Sequence, residues 1–566
     1  MNDSRNMILA IVLSAIVLFG WSFLSERYFP TANPPSTEIV RGKEVVLPNP
    51  QADPAADAPK AIRDRRIVLA ETPRVAIKTP ILQGSINLRG AQIDDLVLTQ
   101  EHESLNKDTP IHLLSPAGSS NAYVAGFGWS GDGIAVPGPA TVWTASGKQL
   151  TPATPVTLSW NNGQGQTFRI RMSVDERYLF SIEQSVANAG AGAVAARPYS
   201  LISRAAASAD PDSWTTHVGP VGVFNGSANY DWDYDDITES GDQRFASRGG
   251  WLGFSDKYWL AAIVPDQASN VDASFRRGGN GGFVADFSPA PAIVASGQIS
   301  TYRSHLFAGA KEIELLENYS TELGTQIERA IDWGWFRWFM KPIFSLLHWL
   351  FAAIGNFGLA IIGLTLIVRA LMFPIAQKQF KSMASMRVLQ PKMKALQERY
   401  KDDKPKLQQE MLKLYQEEKV NPMAGCLPIV VQIPIFYALY KVLMLSVEMR
   451  HQPFILWIKD LSAPDPLTPV NLFGFLNFTP PSFLALGILP ILLGVTMWLQ
   501  FRLNPAPMDP VQKQVFAIMP WVLMFVMAPF AAGLQLYWVT NNLLTIAQQK
   551  WLYSRHPGLK EPAAAT

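Results

Sequence analysis

Long apolar runs divide the chain into two regions of different character. Residues 31–330 contain only short apolar segments, whereas residues 335–552 contain most of the long ones. A helix needs about 20 apolar residues to cross a hydrocarbon core of roughly 30 Å. The pattern therefore predicts five membrane spans in the second region, at residues 354–374, 424–445, 482–501, 514–530 and 533–551.

The first apolar run, at residues 7–24, predicts an N-terminal transmembrane anchor over residues 1–25. A cleaved signal peptide is the alternative, but its apolar region is usually about 7–15 residues long and ends at small residues. Residues 25–30 offer no such cleavage site. Residues 26–60 are rich in Pro, Ala and Asp, which is typical of a flexible linker.

Residues 61–330 alternate short β-type segments, such as 168–174 and 178–186, with clusters of Gly, Asn and Asp. Many short strands separated by such turns predict an extracytoplasmic all-β sandwich domain. The acidic run at residues 231–236 could bind a sugar or a metal ion, but the acidity of an exposed loop is the simpler explanation.

Aromatic and cationic side chains crowd residues 335–350. Such side chains together favour the bilayer interface, where an aromatic ring can be half buried. The segment therefore predicts an amphipathic helix that lies on the membrane. The alternative is that these residues simply begin the next span.

Lysine and arginine are concentrated in cytoplasmic loops of membrane proteins, so their distribution predicts orientation. Residues 378–420 are strongly basic, whereas residues 446–481 contain two Lys or Arg residues. The tail at residues 552–566 is again basic. The pattern predicts cytoplasmic N- and C-termini, with residues 25–335 outside the cytoplasm.

The basic loop at residues 378–420 has its own helical pattern. Its apolar positions follow steps of three and four, and a polar break lies at residues 401–405. We therefore predict a cytoplasmic hairpin of two antiparallel helices, which could contact anionic lipid or an incoming complex. The seam of its first helix comprises Met386, Leu389, Met393, Leu396 and Tyr400.

The composition excludes several function classes. Only 17% of the residues are charged, and the net charge of +2 is too small to indicate nucleic-acid binding. Cys426 is the single cysteine, so an intramolecular disulfide is impossible. The predicted spans contain no paired aspartates, no Ser/His pair and no H-E-x-x-H motif. The sequence thus predicts no enzyme, no catalytic residue, no metal site and no cofactor. Among functions without covalent chemistry, a solute transporter is one alternative that stays open.

Arg369 is the most informative single residue, because it lies inside the apolar span at residues 354–374. A charged side chain at the bilayer centre costs about 2.5–3.5 kcal/mol on insertion scales. No Asp or Glu occurs in the predicted spans to neutralise it. The arginine either extends to the cytoplasmic headgroups or faces a water-filled cavity, and Thr365 lies one turn before it on the same face.

Polar residues on the later spans fit such a cavity, although single amides often only join helices. They are Gln432, Gln500, Gln535, Asn541, Asn542 and Thr545.

Several motifs resemble the YidC insertase family. Residues 421–428 read Asn-Pro-Met-Ala-Gly-Cys-Leu-Pro and precede Gln432 and Pro434, which is similar to the family's third span. Residues 358–386 and 533–542 resemble its second and last spans. The resemblance covers residues 335–552 closely, and the N-terminal anchor and β domain more loosely.

The resemblance implies an insertase and chaperone of the bacterial inner membrane with a periplasmic β domain. It implies a hydrophilic groove that is open to the cytoplasm and to lipid, for which we predict Arg369, Thr365, Gln432, Gln535, Tyr537, Trp538 and Asn541. In an insertase, a wet groove would shorten the apolar distance that the polar flank of a client protein must cross. Apolar side chains beside the groove could then guide the client into lipid as a hydrophobic slide, for which we predict Ile433, Phe436, Met519 and Leu523. Trp538 is a departure, since relatives can carry a second aromatic hydroxyl there. The implied partners are nascent membrane proteins, the ribosome, membrane lipids and the Sec translocon with its accessory subunits, but no DNA.

Overall fold

The chain is described here from a computed structural model. It describes residues 39–40, 43–44, 62–106, 108–210, 216–279, 281–334, 336–401, 403–418, 427–473, 475–476, 486–503 and 510–555. The predicted anchor at residues 1–25, nearly all of the linker at 26–60, and the tail beyond residue 555 lie outside these residues.

Strands make up most of the first half of the described chain. They are β1 (Ile39–Val40), β2 (Lys43–Glu44), β3 (Arg74–Lys78), β4 (Leu82–Asn87), β5 (Gln92–His102), β6 (Pro110–Leu114), β7 (Tyr123–Asp132), β8 (Thr144–Ala145), β9 (Gln149–Leu150), β10 (Val156–Asn161), β11 (Gln166–Val174), β12 (Leu179–Asn188), β13 (Val194–Arg204), β14 (Gly219–Phe224), β15 (Ser227–Asn229), β16 (Gln243–Arg248), β17 (Trp251–Ser255), β18 (Trp259–Pro265), β19 (Asn270–Arg277), β20 (Phe283–Pro289), β21 (Ala292–Val294) and β22 (Ile299–Ala310).

Two large sheets pack face to face to form the β domain. One has nine strands in the order β15-β14-β17-β18-β22-β12-β11-β10-β8. The other has the main order β16-β19-β20-β13-β7-β5-β4-β3-β9, with β21 paired to β13 and β6 paired to β5. The pair β1–β2 is separate, and within the large sheets only β3 and β9 pair in parallel. The predicted sandwich is therefore what the chain forms.

Alternation along the strands builds the core between the sheets. In β11, Phe168, Ile170 and Met172 are buried, while the arginines between them are exposed. Trp129 of β7 meets Phe168 across the sandwich edge to face, with ring centroids 5.2 Å apart. Such inward-facing apolar rows are what hold two antiparallel sheets together.

The acidic run at residues 231–236 has a local structural role. Asp233 accepts a hydrogen bond from the backbone N–H of Asp236 at 2.7 Å, and the Asp236 side chain accepts one from the N–H of Asp233 at 3.0 Å. This reciprocal pair caps a short helix, Tyr234–Ser240. Helix capping, rather than sugar or metal binding, accounts for these two carboxylates.

Helices make up most of the second half. In chain order the helices are α1 (Arg65–Ala70), α2 (Tyr234–Ser240), α3 (Ile313–Leu323), α4 (Arg337–Ile354), α5 (Phe357–Arg399), α6 (Lys404–Glu417), α7 (Leu427–Leu445), α8 (Ile488–Leu503), α9 (Pro510–Met527) and α10 (Ala532–Arg555). Short 3₁₀ turns lie at Ile327–Ala330, Val447–Met449 and Pro469–Asn471.

Helix α4 presents an apolar face to the bundle and leaves two tryptophans, Trp338 and Trp349, exposed. It ends at Gly355, whose φ of 78° is the left-handed conformation that glycine adopts without strain. The chain then reverses, and the rings of Phe351 and Phe357 stack at 3.7 Å. The helix thus extends four residues beyond the predicted interfacial segment at 335–350.

Helix α5 joins two elements that the sequence separates. The predicted span at 354–374 and the first arm of the hairpin at 378–420 form a single helix of 43 residues that continues through Pro374 and Pro391. A proline removes one hydrogen bond and bends a helix, but packing on both sides can keep the helix continuous.

Helix α6 returns antiparallel to the end of α5. The turn between them lies at residues 400–403, where the predicted break falls, and Asp403 accepts a hydrogen bond from the N–H of Lys406 at 3.1 Å. Leu389 and Met393 are buried, and Lys392 pairs with Glu418 at 2.6 Å.

The helices of the second half differ in length and apolarity. Among the described residues, the stretch Phe357–Gln377 is long and apolar enough to cross a membrane. Shorter apolar stretches are Gln432–Leu445, Ile488–Leu503 and Gln514–Met527. Helix α9 ends three residues before the predicted limit of 530, because Pro529 disfavours the helical conformation of the residue before it.

The β domain contacts the helical region through the loop after α7. Glu448 accepts a hydrogen bond from the backbone N–H of Ile313 at 3.0 Å. The Arg450 guanidinium lies over Trp259, 5.4 Å from the ring centroid, and 3.6 Å from the Glu101 carboxylate. These contacts orient the β domain relative to the helices that carry the candidate site.

Candidate substrate groove

Arg369 of α5 contacts α10 through one residue, Asn541. Its Nε donates a hydrogen bond to the side-chain oxygen of Asn541 at 2.8 Å, and Nη2 donates to the Asn541 carbonyl at 3.4 Å. No carboxylate among the described residues forms an ion pair with this half-buried guanidinium. The partner of this cation is therefore a neutral amide and not a carboxylate.

The Asn541 carbonyl is shared with a second donor, Thr545, whose hydroxyl lies 2.7 Å away. Asn541 and Thr545 are thus joined at the same carbonyl that Arg369 contacts. Asn542 turns the other way and donates to the hydroxyl of Thr496 on α8 at 3.2 Å. Asn541 therefore contacts the cation, whereas Asn542 joins two helices.

Helix α7 meets α10 along a second polar contact. Gln432 donates to the Tyr537 hydroxyl at 2.5 Å, and Tyr537 is buried. One turn further along α7, the ring of Phe436 stacks on Trp538, with centroids 4.7 Å apart and planes at 24°. Trp538 therefore supplies an aromatic surface, where a hydroxyl would have supplied a polar one.

Thr365 lies one turn before Arg369, but the structure buries it. Its hydroxyl donates to the carbonyl of Ile361 in the same helix at 2.7 Å. This local bond satisfies the hydroxyl without water or a client. Thr365 therefore packs behind the arginine, and its side chain is not on an open surface.

Gln535 has a structural place. It is fully buried, and its amide donates to the carbonyls of Met527 and Phe530, both at 2.8 Å. Those carbonyls end α9 and begin the turn to α10, where backbone acceptors lose their helical partners. The glutamine thus closes the end of a helix, which sequence spacing alone cannot distinguish from lining a groove.

The four predicted slide residues lie on the two predicted helices and differ in exposure. Ile433 of α7 is 59% exposed, while Phe436, Met519 and Leu523 are half-buried. Helix α9 adds further exposed apolar side chains, which are Val515, Ile518, Trp521, Val522, Phe525 and Val526. Helix α9 thus exposes more apolar side chains than the two that the sequence predicts on it.

Sequence reasoning missed Lys441, although a lysine inside the apolar run at 424–445 is a signal of the same kind as Arg369. Its side chain is 2% exposed, and Nζ donates to the Asp332 backbone carbonyl at 2.6 Å. The Asp332 carboxylate lies 3.3 Å away.

Within the part of the chain that the structure describes, no cluster of three or more His, Cys, Asp and Glu side chains could hold a metal ion.

Comparisons with known proteins cover nearly the whole chain. A family described as "60Kd inner membrane protein" matches residues 349–560, and one described as "YidC periplasmic domain" matches residues 74–346. A protein of Zymomonas mobilis named membrane protein insertase YidC is 49% identical over 560 residues, covering 98% of this chain and 96% of the relative. The chain belongs to the YidC family of membrane protein insertases.

A second curated relative agrees with this assignment. A Rhizobium etli protein of the same name is 44% identical over 575 residues, again covering 98% of this chain and 96% of that protein. A crystal structure titled as an active YidC insertase is 19% identical and covers 84% of this chain and 92% of its own, with a TM-score of 0.35. The curated relatives are named as insertases and not as enzymes.

A YidC-family chain with this organisation is an inner-membrane protein that carries a periplasmic β-sandwich and a helical C-terminal region. The expected YidC family is thereby confirmed, and so are the β-sandwich domain and the helical C-terminal region of the expected fold. The relatives' names give no support to the solute-transporter alternative.

Proposed function

We propose that this chain inserts nascent membrane proteins through a groove between α5, α7 and α10, with Arg369 as its cation. The observation that carries the proposal is the arginine's partnership with a neutral amide, Asn541, at 2.8 Å. A charge inside an apolar span costs about 2.5–3.5 kcal/mol, and an amide offsets only part of that cost. Water and the acidic flanks of clients would supply the remainder.

The groove acts by solvation and attraction, without covalent chemistry. A polar client flank enters a region where Arg369 and Asn541 provide hydrogen-bonding groups, so the flank crosses less hydrocarbon. The client's apolar segment then meets the exposed side chains of α7 and α9, including Ile433 and Ile518. Since those helices also face lipid, the segment can leave sideways into the bilayer.

The distribution of Lys and Arg residues over the loops predicts the membrane topology that this role requires. Helices α5, α7, α8, α9 and α10, together with the anchor at residues 1–25, would make six spans with both termini in the cytoplasm. The hairpin of α5 and α6 then faces incoming ribosomes and anionic lipid. The Sec translocon and its accessory subunits are further proposed partners, on the periplasmic or lateral sides.

Photocrosslinking can identify the surface of this chain that client proteins contact. A benzoylphenylalanine at Ile433 or Met519 should form adducts with ribosome-bound client chains. The same probe at Leu371, which is 69% exposed on α5, is the matched control, because Leu371 lies about 200° around the helix from Arg369. Equal adducts at all three positions, or adducts at Leu371 alone, would place the client path elsewhere.

A further inference from the structure

A cluster of exposed apolar side chains lies in the loop between α7 and α8. We name residues 470–473 and 475–476 the apolar tip. Its large exposed side chains are Val470, Leu472, Phe473, Phe475 and Leu476, of which Phe475 is 89% exposed. Apolar side chains scattered singly on a surface are ordinary, but a contiguous cluster indicates an interaction surface.

Several backbone N–H groups of the apolar tip find acceptors within the loop itself. The N–H of Phe473 donates to the carbonyl of Thr468 at 2.9 Å, and the N–H of Leu476 donates to that of Asn471 at 3.0 Å. The N–H of Leu472 donates to the carbonyl of Pro469, also at 3.0 Å. A segment that enters lipid needs such internal partners, because hydrocarbon offers none.

Two residues of the tip adopt a costly backbone conformation. Leu472 and Phe473 have φ angles of 50° and 60°, in the left-handed region. That conformation costs roughly 1–2 kcal/mol for a residue with a side chain. Leu472 is 54% and Phe473 48% exposed, so packing within the chain offsets only part of the cost. A partner outside the chain would account for it.

The base of the tip is rigidly attached to α8. The buried carboxylate of Asp465 accepts hydrogen bonds from the N–H of Leu489 at 2.7 Å, the N–H of Leu467 at 3.0 Å and the indole of Trp457 at 3.0 Å. A carboxylate at a helix N-terminus is also favoured by the helix dipole. The tip is therefore fixed at the level where α8 begins.

The sequence around the tip carries no charge. From residue 466 to residue 501 there is no Asp, Glu, Lys, Arg or His. Helix α8 also exposes apolar side chains, which are Leu492, Val495 and Leu499. A surface that binds a soluble protein normally has a polar rim around its apolar centre. This stretch has no charged residue to form such a rim.

We propose that the apolar tip inserts into the outer leaflet of the phospholipid bilayer beside the N-terminus of α8. The proposal rests on the proposed span at α8, whose lipid-facing surface the tip extends. Phe473, Phe475 and Leu476 enter the interfacial region, while Asp465 holds the base of the loop at the bundle. The tip thereby fixes the depth of α7 and α8 in the bilayer on the side opposite the hairpin.

Depth-dependent fluorescence quenching tests the proposal in the full-length chain. Cys426→Ser removes the single cysteine, Phe475→Cys introduces a site for a nitrobenzoxadiazole probe, and the protein is reconstituted into phospholipid vesicles. Lys459→Cys is the matched control, since Lys459 is exposed in the same loop. We expect nitroxide lipids to quench the probe at 475 at least twofold more than at 459, and aqueous iodide to show the reverse order.

Equal iodide quenching at 475 and 459, without lipid quenching, would overturn the proposal. Shielding of position 475 from both iodide and nitroxide lipids would also overturn it, because the tip would then lie against protein. Because the Phe475 side chain is almost fully exposed, its replacement should leave the unfolding temperature unchanged. Insertion activity is measured separately, so a failed insertion assay and a failed quenching result remain distinguishable.

Discussion

The ammonium group of Lys441, within α7, lies 2.6 Å from the backbone carbonyl of Asp332, in the segment that leads from the β domain to α4. The lysine is buried, whereas the Asp332 side chain is 27% exposed. The segment that follows the β domain is therefore attached to α7 by a cation that has little access to water. This asymmetry predicts which partner is the more costly to remove.

We expect Asp332→Ala to destabilise the protein more than Lys441→Met does. Removing the acid leaves a buried cation with only a carbonyl partner, and breaking a buried pair in this way costs about 3–5 kcal/mol. Removing the lysine leaves a carboxylate that water can reach, so the loss should be smaller. Thermal unfolding in detergent would measure both, with Glu418→Ala at the exposed pair with Lys392 as the control.

A smaller effect of Asp332→Ala than of Lys441→Met would contradict this account of the contact. The Glu418 control should change stability by no more than about 1 kcal/mol, since exposed pairs contribute little. A large effect of Glu418→Ala would mean that the assay reports the hairpin rather than the junction between the domains.

Lys311 predicts how stability depends on pH in the β domain. It is buried and donates to the Ser255 hydroxyl at 2.9 Å, and burial lowers its pKa from 10.5 to about 8. Between those two values the unfolded chain binds more protons at this position than the folded chain does. The free energy of unfolding should therefore rise with pH across that window, by up to about 1.4 kcal/mol per pH unit.

Measuring the free energy of unfolding at several pH values between about 8 and 10.5 tests this slope. Lys311→Met should remove the rise attributable to this group, because methionine does not titrate. Lys148→Met, at an exposed lysine of the same domain, is the control and should leave the slope as it is. The same slope in Lys311→Met as in the parent chain would contradict the assignment.

Accessibility to thiol reagents should separate Arg369 from Thr365. In a Cys426→Ser background, Arg369→Cys should react with small water-soluble reagents from the cytoplasmic side. Thr365→Cys should react about tenfold more slowly, which corresponds to an opening cost of about 1.4 kcal/mol, because position 365 is buried behind the arginine. Equal and fast labelling at both positions would show that the groove extends past Thr365.

The sequence predicts the elements better than the contacts. Alternation in β11 and the three-four spacing around Met393 are local patterns, so the sandwich and the turn after α5 follow from them. The continuity of α5 through Pro374 does not, since local rules favour a helix end there. Only packing on both sides of the proline decides between a bend and a break.

The candidate site shows the same division. Arg369 is evident from sequence because an unpaired charge in an apolar run is a local anomaly. Gln535 looks equally suited to a groove, but its partners are the carbonyls of a turn whose path the sequence does not reveal. The contact of Lys441 could not be predicted, because its partner Asp332 lies 109 residues earlier and outside the predicted spans.

The central claim is that the positive charge of Arg369 acts on clients, and a charge series at this position tests it most directly. Insertion of clients with acidic and neutral outer flanks would be measured for the parent chain, Arg369→Lys, Arg369→Ala and the control Arg502→Ala. Arg502 is an exposed arginine at the end of α8 that lies over Trp498, 4.1 Å from the ring centroid.

We expect Arg369→Ala to lower insertion of the acidic-flank client about tenfold, equivalent to about 1.4 kcal/mol, with a smaller loss for the neutral-flank client. Arg369→Lys should retain most activity, since it keeps the charge and loses only the planar fork. Arg502→Ala should insert both clients normally. Normal insertion of both clients by Arg369→Ala would contradict the account and leave Arg369 as a side chain that merely extends to the headgroups.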